Sequence, residues 1–510
     1  MTEDDLDAVV IGSGLGGLAA AGILAAEGKK KVVVLERGKL PGGRCSSYHK
    51  QGFTVDVGTH LFNRSEFGPI GELLRRVGRE IEWYHVNEFD FETTGPKGEP
   101  IRFGFDFGNL VGSLLQMATA VGCDASHFQR GIVPFYEALS KAWELADPET
   151  LKNDAIGFGK WIEEILPAPE AAVIRNFLTG LSYSALVVDH ERASVGELMR
   201  CLKGILVSTA EVQKDRARRG HQSLGYPMGG CIAIPRAIIA GAGLRVEYNA
   251  KVTKIVVEDD GDGPAARGVK LEDGREFAAD VVINNGGIKE AVELVGPRTY
   301  PEEHVRYVEE LEVSLAPVVL KVALDELVTD RPFQLLWRTV NSPEEQRESI
   351  RAMLRGEPRG NLPLFVPVPS NMDPSLAPEG KQLVIPGSVM PTDLPDAKYE
   401  ACKREFVEAI WRSLEDWKPG IRDKVLFCDV LDPRVAEREW GERGGPIIGI
   451  AQTVDCVNQS RPAAVDPHVK GLYHVGCEAG RGVWGVGTEL AVSVGMAVAE
   501  YLLGKRKDAP

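Results

Sequence analysis

The stretch Leu6-Asp-Ala-Val-Val-Ile-Gly12-Ser-Gly14-Leu15-Gly16-Gly17, with Lys31-Val-Val-Val-Leu-Glu36 soon after it, constrains this chain more than any other. An apolar run of strand length enters a glycine cluster, a helix-compatible Ala-rich run follows, and a second β-branched strand ends on a carboxylate. That order predicts a βαβ dinucleotide cradle. Gly12 permits the tight turn, Gly14 lets the backbone approach a pyrophosphate, and Gly17 lets helix and strand pack closely. The phosphates then sit on a helix N-terminus, where N–H groups are unpaired. Glu36 meets a ribose hydroxyl pair and repels a 2′-phosphate, which selects FAD or NAD over NADP.

Two further segments separate FAD from NAD. They are Gly42-Gly43-Arg44-Cys45-Ser46-Ser47 and Gly52-Phe53-Thr54-Val55-Asp56-Val57-Gly58-Thr59-His60. Paired glycines and a fixed cation suit a diphosphate that runs on past the helix. With these residues the sequence resembles the large flavoprotein group that contains phytoene desaturases, carotenoid isomerases, protoporphyrinogen oxidase and monoamine oxidases. The resemblance implies an α/β fold: a Rossmann-like FAD-binding domain of the GR2 type, interleaved with a substrate domain of mixed sheet and helices. It also implies noncovalent FAD, with Gly42, Gly43 and Arg44 along the pyrophosphate and ribityl chain and Gly58, Thr59 and His60 beside the isoalloxazine.

At 510 residues, 44% hydrophobic and 26% charged, the chain can bury more than one ordinary core, so two domains are expected. The formal net charge of -15 argues against nucleic acid as a partner and for weak attraction to anionic lipid. Met1-Thr-Glu-Asp-Asp runs straight into the first strand without a charged-then-apolar leader, and no uncharged apolar stretch of about 20 residues follows. A cytoplasmic protein is expected, with peripheral membrane contact left open. Cys45, Cys123, Cys201, Cys231, Cys402, Cys428, Cys456 and Cys477 form no CxxC pair, so reduced thiols and no metal are expected.

Along the chain, Ser65 to Arg79 reads as a helix. Trp83, Tyr84, Phe89, Phe91, Phe103, Phe105 and Phe107 read as strands opening a second domain. From Leu110 to about Arg219 the pattern is helical, and the apolar run from Phe107 to Val121 is read as core. Tyr226-Pro227-Met228-Gly229-Gly230 is a turn; by the resemblance it opens a helix from Cys231 to Ala242 that leads back to the nucleotide domain. Strands follow at 244–248, 251–258, 266–272 and 279–287, then at 314–324, 364–369 and 382–387, and a helix lies between Thr392 and Pro419. The expected FAD domain is therefore 1–85, 220–300 and 435–505, and the substrate domain 86–219 and 301–434. Only the first few residues and Gly504 to Pro510 are read as disordered.

Gly471-Leu-Tyr-His-Val-Gly476-Cys477-Glu478 is a strand ending at glycine, followed by Arg481-Gly-Val-Trp-Gly-Val486-Gly487-Thr488 and a small-residue helix. The resemblance sets this turn against the ribityl chain and pyrophosphate, and the helix N-terminus near flavin N1 and O2, favouring hydride acceptance. Relatives usually carry Asp directly after the glycine; here Cys477 stands there with Glu478 next, and which of the two meets the ribityl chain stays open. The implied cofactor residues are Gly12, Gly14, Leu15, Gly16, Gly17, Glu36, Arg37, Gly42, Gly43, Arg44, Gly58, Thr59, His60, Val252, Asn284, Gly286, Gly476, Cys477, Glu478, Val486, Gly487 and Thr488. His60, Glu478 and Arg481 are the catalytic candidates, with Tyr183 also in reach of the ring.

The resemblance implies an FAD-dependent oxidoreductase that passes hydride from a C–C bond to flavin N5, desaturating, saturating or isomerising an apolar polyene, isoprenoid or acyl-type substrate. An amine oxidase acting on C–N bonds is the second reading. A non-enzymatic prenyl carrier, like the Rab escort and GDP-dissociation-inhibitor proteins, is the third; an intact Glu36 and Arg44 speak against it. The electron acceptor and the oligomeric state are not written in the sequence.

Overall fold

A computed structural model describes residues 2–3, 6–87, 89–94, 100–120, 124–144, 148–168, 171–337 and 343–510. Met1, Asp4, Asp5, Val121 and Cys123, named above, lie outside the described residues. The glycine-rich start forms the predicted unit: β1 (Ala8–Ile11), α1 (Leu15–Ala26) and β2 (Val32–Glu36). Three later strands join them, β3 (Arg245–Tyr248), β4 (Val282–Asn284) and β5 (Leu472–His474). The sheet runs β3-β2-β1-β4-β5 and every neighbour is parallel. Strand order reverses between β1 and β4, and at such a switch point the loops leaving the carboxyl ends diverge to open a crevice. The loops leaving β1, β4 and β5 are Gly12–Gly14, Asn285–Gly287 and Val475–Glu478, so three distant parts of the chain meet there.

The continuous apolar runs of β1 and β2 follow from burial on both faces. The face that carries α1 is closed by α2 (Gly487–Leu502). The two helices pack almost backbone to backbone: a Cβ on Gly495 would lie 2.2 Å from the Gly16 carbonyl oxygen and 2.8 Å from Ala19 Cβ. An antiparallel ladder of Val252–Asp259, Pro264–Leu271 and Glu276–Ala278 adjoins this sheet.

A second, larger sheet follows the order Gln382–Val384, Ala316–Leu324, Gly387–Met390, Leu364–Pro367, Phe333–Trp337, Phe89–Thr94, Pro100–Phe105, with Val425–Leu431 on Ala316–Leu324. The stretch read as one strand at 382–387 is two, because Pro386 has no N–H to give the ladder. Trp83–His85 does not join this sheet; it pairs with Gly225–Pro227 and ties the Tyr226 turn to the nucleotide side. The helical stretch is a layer of six helices among the described residues, from Leu110–Ala120 to Val195–Lys214. Phe107, Leu110, Leu114 and Met117 are buried in its core, with Leu115 outside.

The other helices begin or end near the expected places. Ser65–Arg79 is a short 3-10 turn followed by Pro69–Arg76, the turn at Gly229 and Gly230 delays the next helix to Ala233–Ala242, and Asp396–Trp417 buries Phe406, Ile410 and Leu414. The C-terminus differs from expectation. The Pro510 carbonyl accepts from Ala464 N at 2.8 Å and Lys505 pairs with Glu27, so the tail is fastened to the nucleotide domain. No helix among the described residues is long and apolar enough to cross a membrane.

Gly495→Val should lower unfolding stability by about 1–3 kcal/mol, the usual cost of overpacking a close contact. Chemical denaturation measures this; wild-type stability would show that α1 and α2 can separate without penalty.

Candidate flavin and substrate cavity

One cavity of about 670 Å³ begins at the crevice between β1 and β4 and continues between the large sheet and the helical layer. Of the residues expected to bind cofactor, all but Gly17 line it, and His60, Glu478 and Tyr183 line it too. Gly17 supports the turn from behind. Its amide donates to Asn285 Oδ1 at 2.9 Å, and a Cβ there would lie 2.5 Å from the Gly12 carbonyl oxygen. Asn285 thus caps one amide of α1 from another strand. Leu15 and Gly16, in the cavity wall, keep amides with no intrahelical acceptor, which is a binding point for an anion. Gly42 holds φ +105°, and a Cβ there would lie 2.1 Å from the Cys45 carbonyl oxygen, so only glycine allows the second glycine turn to close.

Glu36 is pre-set for its task. Its carboxylate accepts from Ser13 N at 2.9 Å, Ser13 Oγ at 2.5 Å and Gly38 N at 2.6 Å, at the end of β2. Val252 borders the same end of the cavity. Arg44 lies deeper, in a bidentate pair with Glu442, donating also to the Pro446 carbonyl at 3.0 Å and lying 4.8 Å over the Trp440 ring. Burial alone would lower the Arg44 guanidinium; Glu442 outweighs it and holds it above its ordinary value. Arg44 Nε has no partner, nor has either ring nitrogen of His60, although all three atoms are buried. Buried unpaired nitrogens are costly, and their presence in a cavity wall fits an occupant rich in hydrogen-bonding atoms. An extended dinucleotide is such an occupant: anion site, ribose carboxylate and polar wall follow one another along the cavity.

Asp56 organises the flavin-lining segment, a role its motif did not disclose. Fully buried, it accepts from Ser47 Oγ at 2.7 Å, Tyr226 OH at 2.6 Å and Cys231 N at 3.0 Å, with His60 Nδ1 at 3.9 Å. Burial acts to raise the Asp56 carboxyl, but His60 and these donors hold it below its ordinary value. The Asp56 segment and the Tyr226 turn are therefore one unit. Asp373, between the short helical turns Pro369–Met372 and Pro374–Leu376, completes it by accepting from Gly229 N at 2.6 Å.

Glu478 turns toward β4 and accepts from Ile288 N at 2.7 Å. Burial, then Glu442, push its carboxyl up to about 8, with the Ile288 amide and Arg44 opposing them. Cys477 donates to the Gly487 carbonyl at 3.1 Å, and burial pushes its thiol up to about 12, against the pull of Arg44. A thiol kept protonated is a poor nucleophile for covalent attachment. Arg481 does not reach the cavity. Gly480 and Gly482, at φ +104° and +67°, reverse the chain on either side of it, and the exposed guanidinium donates to the Arg461 carbonyl. Buried Arg461 does the inward work instead, donating to the Gly480 and Val483 carbonyls and to Gln452 Oε1 at 2.7 Å. Glu197 of the helix Val195–Lys214 accepts from Gly485 N at 2.7 Å and braces the same turn.

Fold and cavity define a dinucleotide-binding protein whose one cavity runs on from the cofactor crevice into an apolar region. The chain belongs to the flavin containing amine oxidoreductase family, which it matches over residues 15–503, and it is a flavin-dependent oxidoreductase. It is 26% identical over 474 residues to the chloroplastic prolycopene isomerase of Arabidopsis thaliana, covering 86% of this chain and 73% of that one. It is 25% identical over 486 residues to the zeta-carotene-forming phytoene desaturase of Myxococcus xanthus, covering 92% and 89%. Among solved structures, an oxidoreductase from Methanosarcina mazei superposes with a TM-score of 0.68 at 22% identity, covering 97% of this chain and 100% of that one.

Two outcomes test the site. Glu36→Ala should weaken FAD binding by about 1–3 kcal/mol, measured by titrating apoprotein with FAD, since two hydrogen bonds to a charged acceptor are lost; unchanged affinity removes Glu36 from the site. The folded protein holds the Glu478 proton up to about pH 8, whereas an unfolded Glu releases it near 4.5, so stability should fall as pH rises between those values. Melting temperature against pH should fall less steeply in Glu478→Gln, and identical slopes would remove Glu478 as the cause.

Proposed function

We propose that this enzyme acts on C–C bonds of an apolar polyene, isoprenoid or acyl-type substrate, by desaturation, saturation or isomerisation. The observation that carries the proposal is the asymmetry of the cavity. Its carboxylates, Glu36, Glu290, Glu293, Glu439, Glu442 and Glu478, come from the nucleotide-side segments. Among the described residues, the helical layer and the strands between Ala316 and Met390 contribute no carboxylate to the wall. They contribute aromatic and aliphatic side chains such as Leu202, Phe333 and Phe365, next to Phe89 and Phe107 from the segments just before the helical layer. A cationic amine would enter that half without a counter-charge, at a desolvation cost; a hydrocarbon chain loses nothing there. The names of the curated relatives, a carotenoid isomerase and a carotenoid desaturase, support the same substrate class.

Within this reading, the amides of Leu15 and Gly16 hold the pyrophosphate, Glu36 the ribose hydroxyls and the Val252 backbone the adenine. Arg44, Gly43, Gly476 and Gly487 border the diphosphate and ribityl chain, and Gly58 to His60 border the ring. When bound, the flavin supplies hydride acceptance and donation. The chain's own residues orient the substrate and exclude water through the aromatic wall. His60 is the candidate for taking or returning a proton at Nε2, which has no hydrogen-bond partner, while its Nδ1 faces Asp56 at 3.9 Å. Burial and the neighbouring Glu442 raise the Glu478 carboxyl, which favours its holding a proton beside the cofactor site.

Purified protein should be yellow, and under anaerobic conditions polyenes or isoprenoids should bleach the flavin. Bleaching by amines alone would establish the C–N reading instead. Colourless protein that takes up no FAD would leave the carrier reading.

A further inference from the structure

Where the helical layer faces the large sheet, the cavity has an apolar wall that includes Phe89, Phe107, Leu198, Leu202, Phe333 and Leu335, and one tyrosine is set among them. Tyr183 lines the cavity while only 8% exposed, and its hydroxyl lies 3.1 Å from His190 Nδ1. The same nitrogen lies 3.2 Å from Asp189 Oδ1. A strained turn brings the three together. The helix Ala172–Leu186 ends at Val187, whose φ of 50° and ψ of 44° put a β-branched residue in the left-handed region. Val187 N donates to the Tyr183 carbonyl at 3.1 Å and the Val187 carbonyl accepts from Leu315 N at 3.0 Å, so the turn is tied at both ends. Val187 also lines the cavity.

His190 Nδ1 thus serves two oxygens. Burial acts to raise the Asp189 carboxyl, but His190 and the Glu191 amide hold it below its ordinary value, so it stays ionised beside the ring. When the Tyr183 hydroxyl turns toward an occupant, Nδ1 keeps the Asp189 carboxylate as partner and no buried nitrogen is orphaned. A hydroxyl released without that penalty, in an otherwise apolar wall, offers one directional hydrogen bond to a ligand.

We propose that Tyr183, backed by His190 and Asp189, is a specificity-determining residue that binds a hydroxyl or carbonyl oxygen on an otherwise apolar isoprenoid, so that oxygenated chains are preferred over pure hydrocarbons. This rests on the apolar-substrate reading given above. The test uses the holoenzyme and two probes, the C20 isoprenoid alcohol geranylgeraniol and the hydrocarbon with hydrogen in place of its hydroxyl, with binding followed by the change in flavin absorption.

The wild type should bind the alcohol about ten-fold more tightly, and Tyr183→Phe should abolish that preference while changing hydrocarbon affinity by less than about two-fold. Equal affinities in the wild type, or a preference that survives in Tyr183→Phe, overturn the inference and leave the apolar-substrate reading standing. Binding of neither probe overturns both. A measurement independent of the variant's folding is the carbonyl stretch of geranylgeranial in the wild-type holoenzyme. It should move to lower frequency than in an apolar solvent, and an unshifted band overturns the inference.

Discussion

At Gly14 and Gly16 the start of α1 stands where no side chain fits. A Cβ on Gly14 would lie 2.5 Å from Asn285 Nδ2, and one on Gly16 would lie 2.7 Å from Gly476 N and from Asn285 Oδ1. This contact presses the helix N-terminus against the carboxyl ends of β4 and β5, strands more than 250 residues away in the chain. The crevice at the sheet's switch point, the amides facing it and the position of Glu36 at its rim all follow from that closeness. The glycines are required by packing as much as by any ligand.

Buried charge joins the rest of the site to this frame. Asp56 gathers Ser47, Tyr226 and Cys231 around one carboxylate. Glu442 reaches Arg44 across almost the whole chain, and Arg461 and Glu197 brace the turn before α2. Each of these groups has at least one partner from a distant segment. Loss of one partner leaves a buried charge exposed to a low dielectric, so the flavin-facing loops are held in one arrangement.

Beyond the cofactor end, the wall changes from charged to aromatic without a break in the cavity. The change coincides with the passage from nucleotide-side segments to the second sheet and helical layer. The proposed function divides the same way, with polar groups for orienting a dinucleotide and hydrocarbon for keeping a substrate from water. Tyr183 departs from that division, in the last turn of its helix before the strained Val187.

The sequence by itself determined what depends on neighbours along the chain. The βαβ start, the acid at the end of β2 and the helical stretch after Leu110 were legible because turn chemistry and hydrophobic periodicity are local. Strand breaks were less so: Pro386 was visible, yet its effect on a ladder depends on which strand lies alongside. Tertiary structure alone decided the pairings. Nothing in the spacing of Asp56 and Tyr226, of Gly17 and Asn285, or of Arg44 and Glu442 announces contact, because a hydrogen bond between distant segments leaves no periodic trace. The burial of Arg461 was decided likewise by acceptors on Gln452 and Val483, and the outward position of Arg481 goes with the two positive-φ glycines that flank it. The sequence therefore carried the cofactor class, and the fold decided which side chains face it.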